Sequence, residues 1–290
     1  MQKKRFAVIG HPIGHTMSPF IHSRLFRLAG TEAQYGAADV PPEDLSAELE
    51  HRLRDLDGFN ITIPLKRAVI PLLDALDGKA AQFGSVNTVK NENGRLTGYT
   101  TDGDGFRMAL AAAGVRLEGR RTVVLGAGGA ARAVAFEAAR AGGTVTVAAR
   151  EHSLPAAREL CADLTKKIPG TRADFCLIRN IGGEADLLVN ATPVGMYPNV
   201  EGCPVGADLL QRVRFVFDAV YNPGKTALLR LADENGIPGL GGMSMLVWQA
   251  AAAQGIWTGA RFGAQAVARL CGEASFEMKK KFGVPRTVQP

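Results

Sequence analysis

Short apolar stretches of four to six residues alternate along the chain with longer segments in which apolar residues recur every three or four positions. This alternation predicts an α/β protein. Residues 6–9 read as a first strand, followed by a helix with Ser18 as N-cap, Pro19 at its first position and Gly30 as its stop. A second helix is expected after Pro41-Pro42, with Glu43 and Asp44 in its first turn and Leu45, Leu49, Leu53 and Leu56 along one face up to Gly58. Residues 59–63 predict a strand that Pro64 ends. Segments 86–90 and 95–99, joined through Asn93-Gly94, predict a hairpin, and an antiparallel pair of this kind makes the first sheet mixed. Thr101 or Asp102 then caps a helix reaching about Ala113.

Residues 114–120 form a polar break, the expected hinge. Beyond it, 121–125 reads as a buried strand, 126–132 as a glycine-rich turn opening an alanine-rich helix, and 144–149 as the next strand, which together make one βαβ unit. Strands at 187–190 and 215–220 extend that sheet, and a helix from about Met245 to Trp257 breaks the alternation. No internal repeat is present.

A length of 290 residues suggests two domains at roughly 150 residues each. With 46% hydrophobic and 21% charged residues, composition excludes a disordered chain. Lys plus Arg at 34 against Asp plus Glu at 28 leaves a net charge of +6, suited to anionic small molecules. The basic residues are scattered and Lys279-Lys280-Lys281 reads as a solvated tail, so no nucleic-acid partner is expected. The four cysteines lack C-x-x-C spacing, which argues against a metal site or disulfide scaffold and for reduced, mostly buried thiols in a cytoplasmic protein. After Lys3-Lys4-Arg5 the apolar run stops at Gly10, too short for a signal-peptide core, and no stretch reaches membrane-spanning length. Neither export nor a membrane partner is expected.

Three places carry candidate chemistry. Gly126-Ala127-Gly128-Gly129-Ala130-Ala131 fits G-x-G-x-x-A between a strand and a helix. There the first glycine permits the turn, the second lets a pyrophosphate approach the backbone, and the alanine keeps helix and strand close. The next strand ends Ala148-Ala149-Arg150 where an NAD site would carry an acidic residue. An arginine there favours a 2′-phosphate, hence NADP, although Glu151 complicates the local field. Lys66 and Asp102 sit in polar clusters at strand ends. Taken singly they read as a surface charge and a helix cap; brought together they could protonate a carbonyl oxygen as hydride arrives.

These residues resemble the shikimate dehydrogenase family over a span from Gly10 to the helix holding Gln249. The resemblance is carried by the loop His11-Pro12-Ile13-Gly14-His15-Thr16-Met17-Ser18-Pro19, by Asn60 to Lys66, and by Ser85-Val86-Asn87-Thr88. Thr101-Asp102-Gly103, the glycine-rich loop and Met245-Leu246-Val247-Trp248-Gln249 complete it. It implies reversible NADP-dependent reduction of 3-dehydroshikimate to shikimate in aromatic amino-acid biosynthesis. It also implies a substrate domain at 1–104 with a mixed sheet, a Rossmann-like NADP-binding domain at 105–242, and C-terminal helices at 243–290 that return to the first domain.

Carried over by resemblance, Lys66 and Asp102 are the catalytic pair. Thr16, Ser18, Asn60, Thr62, Asn87, Asp102, Tyr221 and Gln249 bind substrate. Gly126, Ala127, Gly128, Gly129, Ala130, Ala131, Arg150, Thr192 and Gly242 bind the cofactor, and no metal is involved. A homodimer is compatible with the resemblance.

Three positions depart from the family pattern. Thr16 replaces a serine, Thr100 replaces the asparagine before the aspartate motif, and Arg150 lacks the second basic residue that usually follows closely. They keep three alternatives open: NAD as cofactor, a quinate/shikimate dehydrogenase of broader use, and a catalytically silent NADP-binding regulator. Retention of both Lys66 and Asp102 argues against the last. A folate-type methylene dehydrogenase would carry a tyrosine where Thr62 stands.

Overall fold

A computed structural model describes residues 3–14 and 16–282. Met1, Gln2, His15 and 283–290 lie outside them, and with them the ends of the expected segments 1–104 and 243–290 and one residue of the His11–Pro19 motif. The chain runs β1 (Lys4–Gly10), α1 (Ser18–Leu28), β2 (Ala33–Asp39), α2 (Leu45–His51), β3 (Gly58–Ile61), β4 (Ala75–Leu76), α3 (Gly78–Phe83), β5 (Thr88–Glu92) and β6 (Arg95–Tyr99). After α4 (Asp102–Ala112) come β7 (Arg121–Leu125), α5 (Gly129–Arg140), β8 (Thr144–Ala149), α6 (Leu154–Lys167) and β9 (Arg172–Leu177). Then follow β10 (Leu187–Asn190), α7 (Ala207–Leu210), β11 (Val216–Asp218), α8 (Ala227–Glu234) and β12 (Gly239–Gly241), and the chain closes with α9 (Met243–Thr258) and α10 (Ala264–Phe282).

The strands form two six-stranded sheets. The first, in the order β2-β1-β3-β5-β6-β4, is mixed as the hairpin requires: β1 pairs in parallel with β2 and β3, whereas β3–β5 and β5–β6 are antiparallel. Asn93 and Gly94 carry the positive φ of 55° and 88° that the tight turn demands. The second sheet, in the order β12-β11-β10-β7-β8-β9, is parallel throughout. Its winding reverses between β7 and β10, where a doubly wound sheet leaves a crevice at its C-terminal edge.

Helices α4 and α9 join the two halves. A single apolar core takes in Ile21 and Leu25 of α1, Phe106 and Leu110 of α4, Val134 and Phe136 of α5, Val247 of α9 and Leu270 of α10. Helix α9 is apolar on nearly every side, as a helix enclosed by neighbours must be, and Trp257 near its end donates to the Val89 carbonyl of β5 at 2.9 Å. The C-terminal segment thus returns to the first sheet. Helix α4 runs unbroken through position 104, and the polar break at 114–120 is tied down by Leu117 in the core and by the Gly119 amide on Ala141 O at 3.0 Å.

Several local expectations change. Ser18 is the first residue of α1, not its cap: Met17 holds the cap position and Thr16 Oγ1 accepts from the Ser18 amide at 3.2 Å. The leucine-rich helix breaks after His51, so Leu53 lies in a separate 3-10 turn and Leu56 is only half-buried. Strand β3 stops at Ile61 because Thr62 already turns, its carbonyl accepting from the Leu65 amide at 3.0 Å. The lysine run lies in the last turn of α10, where cations offset the helix dipole, and is not a tail. Of the cysteines only Cys161 is buried, and Cys203 is exposed. Gly242 has an ordinary φ of −71°; its glycine is needed because a Cβ would run into the Ala219 carbonyl.

Candidate active site

The catalytic pair predicted from sequence meets. Beyond β3 the Lys66 carbonyl accepts from the Val86 amide at 2.9 Å, which fixes the lysine backbone beside the start of β5. The Lys66 ammonium forms an ion pair with Asp102, the first residue of α4, and the two side chains are 14% and 7% exposed. Taking two charges out of water is worthwhile only where their hydrogen bonds are otherwise satisfied. Asn87 supplies this: its amide nitrogen lies 2.9 Å from Asp102 Oδ1, 2.9 Å from Thr101 Oγ1 and 3.2 Å from Gln249 Oε1, while its oxygen accepts from the Thr101 amide at 2.8 Å. One buried asparagine therefore ties together β5, α4 and α9.

Of the remaining substrate candidates, Asn60 is hydrogen-bonded to this centre. Thr16 and Thr62 are half-buried and Ser18 is buried. Asn60 directs its donors inward, to Asn87 O and Thr88 Oγ1, both at 3.0 Å, and its oxygen accepts from the Tyr35 hydroxyl at 2.6 Å. Tyr35, which sequence reasoning missed, is held well above its ordinary pKa by burial. Tyr221 is half-buried, with its phenol pushed up to about 12 by burial. Thr100 is buried, and its hydroxyl finds no partner among the described residues.

A cavity of ≈ 1040 Å³ opens at the C-terminal edge of the parallel sheet, large enough for a dinucleotide. It is lined by Gly126 to Ala130, Arg150, Thr192 and, from the first sheet, Ile63, which is 53% exposed. The residues fit a dinucleotide phosphate. Gly126 turns with φ 101°, the space a Gly128 Cβ would occupy is open, and α5 begins at Gly129 with no acidic residue in its first turn. Ala131 is buried in the core beneath the loop. Gly242 lies outside this lining, packed on the backbone of Ala219 and Val220.

Support for Thr192 was not legible in sequence. Its amide and hydroxyl donate to Asn190 Oδ1 at 3.1 and 2.7 Å, and the Asn190 amide donates to Asp218 Oδ1 at 2.9 Å. Burial raises the Asp218 pKa to about 6, against the opposing hydrogen bonds from Thr226, Val220 and Asn190. The signal was a polar side chain ending each of two otherwise apolar strands.

The two halves touch at one more point. A Cβ on Gly129 would lie 3.0 Å from Lys66 Cδ and 3.1 Å from Ser85 Oγ, so the lysine passes directly over the first residue of α5. Gly129→Ala is expected to push the Lys66 side chain aside by a few tenths of an ångström and lower kcat by about two- to tenfold, with the dissociation constant of NADP+ within about twofold, because misplacement of the reacting groups acts on the chemical step. Titrating the variant with NADP+ beside its steady-state rates checks this; a parallel loss of cofactor binding would assign Gly129 to the phosphate alone.

Among the described residues no cluster of three metal-ligating side chains occurs, and no helix is long and apolar enough to cross a membrane. A cavity of this size at the switch point of a doubly wound sheet takes a dinucleotide, and the lysine–carboxylate pair, whose lysine lies against Gly129 of the lining, can move a hydroxyl proton. Together they define a dinucleotide-dependent oxidoreductase.

Comparison with known proteins narrows this class. Residues 8–89 match the family model described as the shikimate dehydrogenase substrate binding domain. A relative from Moorella thermoacetica named shikimate dehydrogenase (NADP(+)) is 40% identical over 278 residues, 92% of each chain. The crystal structure of shikimate 5-dehydrogenase from Thermus thermophilus with NADP(H) and shikimate superposes with a TM-score of 0.82 at 38% identity, covering 93% of this chain and 99% of that one. The Listeria monocytogenes shikimate 5-dehydrogenase in complex with shikimate and NAD gives 0.83 at 32% identity, covering 92% and 96%. The chain belongs to the shikimate dehydrogenase family.

Proposed function

We propose that this chain catalyses the reversible NADP-dependent reduction of 3-dehydroshikimate to shikimate, a step of aromatic amino-acid biosynthesis. The observation that carries the reading is the Lys66–Asp102 ion pair, placed in the first half of the molecule yet lying against Gly129 of the nucleotide loop. NADP, when bound along Gly126 to Ala130, Arg150 and Thr192, supplies or accepts the hydride. Lys66 and Asp102 take the proton of the reacting hydroxyl and return it in the reverse direction, the ammonium stabilising negative charge on that oxygen. Thr16 and Ser18 hold the substrate carboxylate, and Thr62, Asn87 and Gln249 hold its hydroxyls. Asn60, hydrogen-bonded to Asn87 O and Thr88 Oγ1, belongs to the same hydroxyl-binding set as Asn87. The resemblance adds Tyr221 to the substrate residues and Gly242 to the cofactor residues.

The reading includes the division into 1–104, 105–242 and 243–290, supported by the two sheets and the return of α9 to the first. A cytoplasmic location is supported by four free cysteines. Exposed Leu28 and Phe276 support a homodimer, and the scattered basic residues support the absence of a nucleic-acid partner. Rates with purified protein, shikimate or quinate, and NADP+ or NAD+ at matched concentrations test it. Shikimate with NADP+ should give the highest kcat/KM; a preference for quinate or NAD+ would shift the assignment to the broader enzyme, and no turnover with any pair would leave a silent binder.

A further inference from the structure

Strands β8 and β9 deliver two guanidinium groups to one edge of the nucleotide cavity. Ala149 and Leu177, the last residues of these strands, are paired in register, so Arg150 and Arg179 leave neighbouring strands about 4.8 Å apart. Both line the cavity. The Arg150 side chain is exposed and makes no hydrogen bond or ion pair among the described residues. Arg179, in the 3-10 turn Ile178–Asn180, donates through Nη2 to Glu151 Oε1 at 2.8 Å.

Glu151 is the difficulty that this contact resolves. A carboxylate one residue from the arginine assigned to the ribose 2′-phosphate would repel that dianion if left free. The side chains of Glu151 and Arg179 are 72% and 67% exposed, so the ion pair contributes little to stability; its effect belongs to the ligand. A guanidinium has five N–H donors. Those not engaged by Glu151 remain free for a phosphate held between the two strand ends.

We propose that Arg179 is a specificity residue for the 2′-phosphate: it neutralises Glu151 and supplies, from the neighbouring strand, the second cation that the segment after Arg150 lacks. The proposal rests on the NADP reading above.

Calorimetric titration with NADP+, NAD+, 2′,5′-ADP and 5′-ADP tests it without turnover. Arg179→Ala should weaken NADP+ and 2′,5′-ADP by about tenfold or more, the scale of a charge-assisted hydrogen bond, and leave NAD+ and 5′-ADP within about twofold. Arg179→Lys should recover part of the loss by charge alone. Glu151→Ala with Arg179→Ala should bind 2′,5′-ADP more tightly than Arg179→Ala, because the unmasked carboxylate is gone. Selectivity retained in Arg179→Ala but lost in Arg150→Ala would overturn this proposal and leave the NADP reading standing. Wild-type protein that binds 2′,5′-ADP no better than 5′-ADP would overturn both.

Discussion

Replacing Lys66 by alanine should lower kcat by about 10² to 10⁴, the usual contribution of a general acid–base group, while the affinity for shikimate changes by no more than a few-fold. The argument is local. Lys66 is fixed through its backbone to Val86, its ammonium is partnered by Asp102, and its side chain crosses Gly129. Its charge therefore sits between Asp102 and the first residue of α5, where the proposed function puts the reacting oxygen. Truncation also leaves the Asp102 carboxylate nearly buried with the Asn87 amide as its remaining side-chain partner among the described residues, so a stability measurement should accompany the kinetics. Lys66→Met, which keeps much of the packing volume, separates the two effects. Both variants should be slow when folded; near-normal turnover in either would remove Lys66 from the chemistry.

The second large effect concerns pH and a histidine outside the catalytic centre. His22 is fully buried, stacked on Tyr35 with ring centroids 4.2 Å apart, and its Nδ1 faces the Gln254 amide nitrogen at 3.2 Å. Burial lowers its pKa from 6.5 to about 3, so the folded protein holds it neutral. Between those values the unfolded chain binds the extra proton. Stability therefore falls as pH drops from 6.5 towards 3, by about 1.4 kcal/mol per unit and up to about 5 kcal/mol in all.

Asp218 acts oppositely. Its pKa is raised from 3.8 to about 6, so the folded state binds the extra proton in that window and stability rises as pH falls through it. The two slopes offset each other between pH 6 and 3.8, which hides His22 in the wild-type profile. His22→Phe combined with Gln254→Leu, which keeps a ring on Tyr35 and orphans no amide, should reveal it. Urea midpoints from pH 7.5 to 4 should show the variant gaining on wild type by about 1.4 kcal/mol for each unit below pH 6.5. Parallel profiles would mean that His22 titrates normally in the fold.

The elements legible in sequence were those whose surroundings impose a simple pattern. Strands β7, β8 and β10 lie inside a parallel sheet, so they read as short, mainly apolar runs and their ends were placed to the residue. The β5–β6 hairpin followed from Asn93-Gly94, whose positive φ values are the turn itself. What escaped were edges and fragments. Strand β2, with its Ala- and Gly-rich sequence, and β9 are edge strands with incomplete burial; β4 and β12 are two and three residues long. Helix α1 began one residue early because Ser18 resembles a cap whose role the Thr16 hydroxyl takes.

The site divides in the same way. Lys66, Asp102 and the glycine loop carry their chemistry in a few adjacent residues and were singled out one at a time, whereas Asn87 came from the family resemblance. Their meeting was not legible, since Asn87 and Gln249 touch across 162 positions and Lys66 crosses Gly129 only because α4 and α9 hold the halves together. Arg179 escaped for the same reason: it reaches Glu151 from the neighbouring strand, 28 positions on.

Under the proposed function a hydride leaves the substrate carbon beside the Lys66–Asp102 pair and crosses to a cofactor held on Gly126 to Ala130. Shikimate carrying deuterium on the carbon whose hydroxyl is oxidised, turned over with NADP+, tests it most directly. The deuterium should be recovered in NADPH, with 3-dehydroshikimate formed in equal amount. NADPH formed without the label, or no NADPH formed at all, would contradict it.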